Sequence, residues 1–246
     1  MLVLLPPSEG KTAPADGAPV DLGALVHPEL TKPRERLLKA LIRTSAGREA
    51  TALKALGLAT TQAGELALNQ RLETAPAAPA AAVYTGVLYE RLRLAELPDA
   101  AHDRVLIASA LWGVVRPGDR IPAYRMSIGA RLPRTPGLAA YWRPALTKAL
   151  PDEGLVVDMR SGGYAAAWTP KRAERLVVRA FTIQSDGTRT VVSHMVKAVR
   201  GDVARVLLSQ ERPPETPDEV AHALTRAGLE VELDGGSLDV LQRPAA

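Results

Sequence analysis

Residues 1–12 read MLVLLPPSEGKT, an apolar run that ends at two prolines. Leu2 to Leu5 can form a short buried strand, and Pro6 and Pro7 end it because proline has no backbone N–H to donate. The run lacks the basic start and the cleavage site of a signal peptide, and no segment of the chain reaches the roughly 18 apolar residues of a membrane span. We therefore expect a buried first strand followed by a polar loop, in a soluble, cytoplasmic protein with no membrane partner.

Short apolar runs and helical periodicities follow each other along the rest of the chain. Strands are predicted at 105–108, 156–157, 191–192 and 229–233, with a hairpin over 181–193 that turns at Asp186-Gly187. Helices are predicted over 29–43, 49–56, 197–208 and 218–227. Because strands and helices do not alternate strictly, we expect an α+β fold, a single domain with a mixed β-sheet flanked by helices and a basic cleft.

Length and composition bound the domain organisation. With 246 residues, 46% of them hydrophobic, the chain can bury one large core, so residues 1–246 are expected to form one domain. The low-complexity run at 75–82 is interpreted as a loop or linker. Residues 209–246 form an acidic C-terminal segment, with three basic and eight acidic side chains.

The residue types present exclude several kinds of chemistry. The chain has no cysteine, so disulfides, iron–sulfur ligation and thiol-based peroxidase chemistry are ruled out. Its four histidines are scattered and have no zinc or iron spacing, so we expect no metal site and no cofactor. Only His194, just before Lys197, lies close to other candidate residues.

Positive charge is concentrated in the middle of the chain. The net charge is +4, but residues 104–205 contain 17 Lys and Arg against seven Asp and Glu. The basic side chains of such a segment either face solvent on surface helices or form a surface that binds phosphate groups.

The loop after the first strand ends in Gly10-Lys11-Thr12, as a phosphate-binding P-loop does. A P-loop also needs a glycine five residues before Gly10, and Leu5 occupies that place. Nucleotide hydrolysis is therefore not expected at this loop, although Lys11 can bind a single phosphate as a point charge.

Residues 109–126 read SALWGVVRPGDRIPAYRM and mix arginines, aromatic residues and helix breakers. This pattern predicts a long ordered loop in which arginines contact phosphates and Trp112 or Tyr124 stacks on bases. In the alternative interpretation, Asp119 pairs with Arg116 or Arg125 and the two aromatic side chains pack in the core.

Residues 158–164, DMRSGGY, follow the strand predicted at 156–157. Polar residues at the end of a strand are common in binding sites of α/β scaffolds, but Asp158 and Arg160 can equally form a local ion pair. Ser161 lacks the Gly-x-Ser-x-Gly turn of a serine hydrolase, so that chemistry is not expected.

The segment at 109–129 resembles the pattern Leu-Tyr-Gly-Val-Leu-Arg-Pro-x-Asp-x-x-x-x-Tyr-Arg-x-Glu-Met-Gly of the YaaA peroxide-stress family. The matching positions are Gly113, Val114, Arg116, Pro117, Asp119, Tyr124, Arg125 and Gly129. Further segments resemble segments of that family and follow each other in the same order along the chain. They are Leu2–Lys11, Val83–Gly86, Tyr141-Trp142 with Thr147, Asp158–Tyr164, and Lys197 with Arg200 and Gly201. Together they extend from residue 1 to about residue 208.

Four positions depart from the family pattern. Ser127 stands where the pattern has Glu, Gly162 and Gly163 stand where it has acidic or polar residues, and Ala198 replaces a second lysine. If the family uses those carboxylates for metal binding or acid–base work, this chain has lost part of that site, and Asp158 compensates only in part.

The resemblance implies a bacterial protein that limits oxidative damage to DNA under hydrogen peroxide, is associated with lower free intracellular iron, and binds nucleic acid. We accordingly expect double-stranded or structured DNA as the partner, held through its phosphates in one positive cleft. The residues expected to line this cleft are Lys11, Arg116, Arg120, Arg125, Arg160, Lys197, Arg200 and Arg205. About six phosphate contacts would give a slope near −5 for log K against log salt.

The rival hypothesis is an enzyme that acts on a small anionic substrate in the same cleft, although the residues favour a binding protein. Its candidate acid–base residues are Ser8, Glu9, Asp119, Tyr124 and Asp158, with Lys11, Arg125 and Lys197 to hold the substrate. A groove over about 20 Å long would favour nucleic acid, and an enclosed pocket of roughly 300–1,000 Å³ would favour a small ligand.

Overall fold

An eight-stranded mixed sheet forms the centre of the structure. The structure, a computed structural model, describes residues 1–184, 186–190 and 193–243, with the backbone alone for 193–195. Its strands are β1 (Leu2–Leu5), β2 (Ala78–Pro79), β3 (Val105–Ser109), β4 (Gly113–Val115), β5 (Arg120–Ile121), β6 (Leu155–Asp158), β7 (Glu174–Ile183), β8 (Arg189–Thr190), β9 (Glu230–Asp234) and β10 (Ser237–Gln242).

Helices pack around this sheet. They are α1 (Thr31–Ser45), α2 (Glu49–Leu56), α3 (Glu65–Gln70), α4 (Ala80–Val83), α5 (Val87–Leu92), α6 (Asp99–His102), α7 (Leu138–Ala149), α8 (Gly162–Ala165), α9 (Ser193–Leu208) and α10 (Pro217–Arg226). Short 3₁₀ turns occupy 28–30, 60–62 and 94–96. No helix in the described part of the chain has the length and apolar character needed to cross a membrane.

The strand order is β4-β3-β1-β6-β7-β10-β9, and β8 pairs with β7. The five strands from β3 to β10 in this order are parallel, whereas β4, β8 and β9 pair antiparallel. Strand β1 lies between β3 and β6, and Val3, Leu4 and Leu5 are buried. The chain leaves β1 towards β3 and returns later on the other side as β6. The carboxyl end of β1 is therefore a point where the strand order reverses, which is where open parallel sheets bind ligands.

The predicted α+β class, with a mixed sheet flanked by helices, is confirmed. The predicted strands at 105–108, 156–157 and 229–233 correspond to β3, β6 and β9, and the four predicted helices are present with shifts of a few residues. Residues 191–192 lie outside the described part of the chain.

Three local expectations differ from the structure. Residues 75–82 are not a linker, because they contain β2, which pairs with β5, and the start of α4. Strand β4 interrupts the loop expected at 109–126. Strand β10 was not predicted, although it lies between β7 and β9 with Leu238 and Val240 buried.

Candidate functional site

A cavity of about 600 Å³ opens at the carboxyl ends of β1 and β6. Its walls come from the loop after β1, the end of α2, the start of α5, the segment after β5, the turn after β6, and α9. The lining residues include Ser8, Glu9, Lys11, Gly57, Thr85, Gly86, Tyr89, Arg125, Ser127, Ser161, Tyr164, Lys197 and Arg200. Open parallel sheets bind their ligands at this position, where the strand order reverses.

The loop after β1 is hydrogen-bonded to the end of α4 and to the residues between α4 and α5. The backbone N–H of Thr12 donates to Val83 O at 2.9 Å, and Lys11 forms a β-bridge with Tyr84. Ser8 Oγ accepts from the Thr85 N–H at 3.1 Å and donates to Gly10 O. Both hydrogen-bonding roles of the Ser8 hydroxyl are therefore occupied in shaping the loop.

Lys11 is the most perturbed basic group of the cavity. Its Nζ donates to Ser8 O at 2.8 Å and lies 4.3 Å from the centre of the Tyr124 ring and 5.5 Å from that of Tyr84. Burial, together with the charge of Arg125, lowers the pKa of Lys11 to about 7. At neutral pH about half of these amines are therefore uncharged.

Arg125 approaches the cavity from the segment after β5. Its backbone N–H donates to Asn69 Oδ1 at 2.9 Å, and Asn69 Nδ2 donates back to Arg125 O at 2.8 Å. The guanidinium donates to the carbonyl oxygen of Glu9 at 3.0 Å and lies 3.7 Å from its carboxylate. Since the Glu9 side chain is 81% exposed, an anionic ligand can displace this carboxylate at little cost.

Helix α9 supplies Lys197 and Arg200, and its position depends on Gly201. A Cβ atom at Gly201 would lie 2.5 Å from Leu88 O and 2.6 Å from the Cβ of Arg91, so α5 and α9 touch through their backbones here. Burial lowers the pKa of Arg200, and its Nε has no hydrogen-bond partner among the described residues. An unpaired buried donor beside a cavity is a natural site for an anionic ligand.

Lys11, Arg125, Lys197 and Arg200 thus line one cavity, whereas the other four residues expected in the cleft do not line it. Arg116 is exposed and pairs with Asp103 at 2.9 Å. The remaining three interact elsewhere, Arg120 with Ala77 O, Arg160 with Asp158, and Arg205 with Glu96 and the carbonyl groups of residues 92–93.

The aromatic side chains expected to stack on bases are in the core. Trp112 is fully buried and Tyr124 is 2% exposed, so both side chains pack in the core and neither ring can reach a base. The salt bridge expected between Asp119 and Arg116 or Arg125 is not formed, because Arg116 pairs with Asp103 and Arg125 with Glu9. Tyr124 OH lies 3.0 Å from Tyr84 OH and 2.7 Å from Ser109 Oγ. The buried side chain of Arg34 stabilises the backbone of residues 112–114 by donating to Trp112 O at 3.0 Å and to Val114 O at 2.9 Å.

Two candidate acids have structural roles. Asp119 accepts the backbone N–H groups of Arg116 and Val26. Asp158 is 1% exposed and binds Arg160 at 2.7 Å and Arg175 at 2.8 Å. Burial raises the pKa of Asp158, but the hydrogen bonds and charge of Arg160 outweigh burial and hold that pKa below its usual value. The local ion pair is therefore the observed arrangement at Asp158, and neither carboxylate lines the cavity.

Several residues of the cavity wall were not proposed as site residues from the sequence. Tyr89 is buried in α5 and donates its hydroxyl to Pro6 O at 2.7 Å, and Tyr164 and Ser161 enter from the turn after β6. Gly163 packs against Ile128, where a Cβ would lie 2.8 Å from the isoleucine Cγ2. The glycine that departs from the family pattern at 163 therefore makes room for the wall formed by residues 125–129.

The described residues also form a second concavity, and their metal-ligating side chains form no cluster. A more open concavity of about 670 Å³ lies between α10 and the segment that precedes it, residues 210–214, with both signs of charge in its wall. No group of three or more metal-ligating side chains is present among the side chains that the structure describes, which are those of residues 1–184, 186–190 and 196–243.

Comparison with known proteins identifies the family. Residues 1–233 match the family described as Peroxide stress protein YaaA. The chain is 47% identical over 255 aligned positions to a UPF0246 protein of Streptomyces coelicolor, with 98% of each chain covered. It is 42% identical to a UPF0246 protein of Corynebacterium efficiens, with 98% of each chain covered, and 41% identical to one of Corynebacterium glutamicum, with 94% and 95% covered. The chain therefore belongs to the YaaA family of peroxide stress proteins.

Proposed function

We propose that this protein acts in the peroxide stress response by binding DNA through its phosphates at the cavity beside β1. One observation carries the proposal, namely that Lys11, Arg125, Lys197 and Arg200 reach the same cavity from three separate segments of the chain. Charged donors that face a common space, with a buried Arg200 Nε left unpaired, suit the oxygens of a phosphodiester.

The number of basic residues at the cavity sets the expected salt dependence. Each neutralised phosphate contributes about −0.9 to the slope of log K against log salt, so four contacts give about −3.6 at about pH 6, where Lys11 is charged. The affinity should then fall about 150-fold between about 50 and 200 mM salt. This slope is shallower than the value near −5 that six contacts would give.

Binding of fluorescently labelled duplex and junction DNA at a series of salt concentrations tests the proposal. A slope of about −4 on either DNA supports it. No binding at the lowest salt concentration would rule out nucleic-acid binding by this protein. Cells that lack the protein should also show more DNA strand breaks after peroxide treatment than cells that carry it.

The association with lower free iron stays a prediction. Electron paramagnetic resonance of chelated iron in cells with and without the protein measures it directly. Isothermal titration with ferrous iron tests whether the protein itself takes up the metal, and tight binding would contradict our expectation of no metal site.

The second candidate function is an enzyme that acts on a small anionic substrate. The cavity volume of about 600 Å³ favours it, since this is the size of pocket that holds small molecules. Of the five acid–base candidates, Ser8 and Glu9 line the cavity, and Lys11 lies beside them. Thermal unfolding in the presence of sugar phosphates and nucleotides tests this alternative, because a ligand at 100 times its Kd stabilises the folded state by about 2.7 kcal/mol.

A further inference from the structure

The amine of Lys11 has the surroundings of a nucleophile rather than those of an ion-pair partner. Among the described residues, Nζ hydrogen-bonds to the carbonyl oxygens of Ser8 and Glu9, and no carboxylate forms a salt bridge with it. The aromatic face of Tyr124 lies 4.3 Å away. The carboxylates of Glu65 and Glu9 act on the amine without a direct contact and raise its pKa, but burial and the charge of Arg125 outweigh them.

Two physical effects favour the uncharged amine. Desolvation in the wall of the cavity penalises the ammonium form, and the nearby guanidinium of Arg125 repels it, which together lower the pKa of Lys11 to about 7. Desolvation and a neighbouring cation are the two devices that activate lysine amines for attack on carbonyl groups. A lysine that served only as a phosphate anchor would be better left fully charged.

We propose that Lys11 condenses with the carbonyl carbon of a phosphorylated aldehyde to form an imine in this cavity. The inference rests on the proposed function, because it assigns Arg125, Lys197 and Arg200 to the phosphate of the same ligand. The two guanidinium groups and the ammonium group of these residues line the same cavity as Lys11.

The condensation needs no oxidant or reductant. The lone pair of Nζ attacks the carbonyl carbon, and a proton moves from nitrogen to the carbonyl oxygen to give a carbinolamine. The C–O bond then breaks, the oxygen leaves as water with both amine hydrogens, and a C=N bond forms. The reverse reaction with water returns the free lysine and the aldehyde.

Phosphorylated aldehydes come from two sources. One is a free sugar phosphate, and the other is the ring-opened deoxyribose at an abasic site in DNA, which carries an aldehyde beside its phosphodiesters. The shared chemistry is an aldehyde within a few bonds of a phosphate. A cavity of about 600 Å³ is large enough for either sugar–phosphate unit.

Borohydride trapping tests the proposal, because it reduces an imine to a stable secondary amine. The intact protein is mixed in one arm with glyceraldehyde 3-phosphate and in another with a duplex that contains one abasic site, and an intact duplex serves as control. Mass spectrometry and denaturing gels detect the adducts, and peptide mapping locates the modified lysine. The variants are Lys11→Arg, which keeps the positive charge but loses the amine, and Lys148→Ala, which removes an exposed lysine on α7.

We expect an adduct on Lys11 in at least one arm, abolished in Lys11→Arg and retained in Lys148→Ala. Its rate of formation should rise with pH and level off above about 7, the pKa of Lys11, instead of rising to about 10.5 as for an ordinary lysine. An adduct that maps to Lys197 or to exposed lysines, or no adduct in either arm, would overturn the proposal even if Lys11→Arg failed to fold.

The arms also separate this inference from DNA binding itself. If intact duplex binds but neither aldehyde is trapped, the imine proposal fails and the proposed function stands. If glyceraldehyde 3-phosphate is trapped on Lys11 while no DNA binds, the DNA function fails and the lysine chemistry belongs to a small-molecule site.

Discussion

The contact of α5 with α9 at Gly201 gives a sharp test of how the cavity is built. In Gly201→Ala the new Cβ would lie 2.5 Å from Leu88 O and 2.6 Å from the Cβ of Arg91. Neither atom can move alone, because both belong to the rigid part of α5. Ordinary contact starts at 3.4 Å, so the two helices must separate by about 0.9 Å.

Two opposing effects set the size of the change. Overpacking of this kind costs up to about 3 kcal/mol, and replacing glycine by alanine inside a helix recovers about 1 kcal/mol. The net loss of unfolding free energy is therefore about 2 kcal/mol, or a fall in Tm of about 4–8 °C for a domain of this size. Because Lys197 and Arg200 move with α9, DNA binding should weaken as well.

Urea unfolding and thermal scans measure the loss, with Gly64→Ala as the matched control. Gly64 has a right-handed backbone, and nothing lies within 4 Å of its built Cβ, so this variant should be as stable as the wild type or more so. If Gly201→Ala is as stable as the wild type, the α5–α9 contact is softer than described and the reasoning about Lys197 and Arg200 fails.

Three further substitutions test single interactions. Asp158→Asn should lower the free energy of unfolding by about 3–5 kcal/mol at pH 7, because it leaves Arg160 buried without its charged partner. The folded-state pKa of Asp158 is lowered, so urea titrations should show this full loss above the unfolded pKa. The loss should shrink as the pH falls through the folded pKa. Tyr124→Phe should lower the free energy of unfolding by about 1–2 kcal/mol in the same assay, because the hydroxyls of Ser109 and Tyr84 each lose one buried hydrogen-bond partner. Lys11→Met should be more stable than the wild type at pH 6, and the difference should narrow between about 7 and 10.5, where the wild type gains stability because its folded-state lysine is uncharged while its unfolded-state lysine still carries a proton.

The strands and helices were largely predictable, but their arrangement in the sheet was not. The apolar run before Pro6 indicates β1, and apolar residues at helical spacing indicate α1 and α9. The sequence contains no sign that Val3 pairs with both Val105 and Val157, because such pairing depends on tertiary contacts between distant segments.

Strand β10 shows a different reason for failure. Its apolar pattern is interrupted by Asp239, which is 4% exposed and would be costly without a partner. Arg179, its register partner on β7, supplies that partner through two hydrogen bonds. A buried charge that is neutralised across strands makes a core strand look like a polar loop in the sequence.

The candidate site was predictable in part. The sequence drew attention to Lys11, Arg125, Lys197 and Arg200, which the structure brings to one cavity. It also grouped with them Arg116 and three other arginines that bind carboxylates or carbonyl groups elsewhere. Counting charges cannot separate the two sets, because a local partner such as Asp103 is recognised only from its distance. For the same reason Trp112 and Tyr124 were open to two interpretations until their burial was known.

Binding of DNA phosphates at the cavity is tested best by the contrast between Arg125 and Arg116. The two arginines lie in the same segment, but only Arg125 lines the cavity. We would measure the salt dependence of duplex binding for the wild type, Arg125→Ala and Arg116→Ala. At about pH 6, where Lys11 is charged, we expect a slope of about −4 for the wild type and Arg116→Ala and about −3 for Arg125→Ala, with weaker binding for the latter. Equal weakening by both variants, or no binding at low salt, would contradict it.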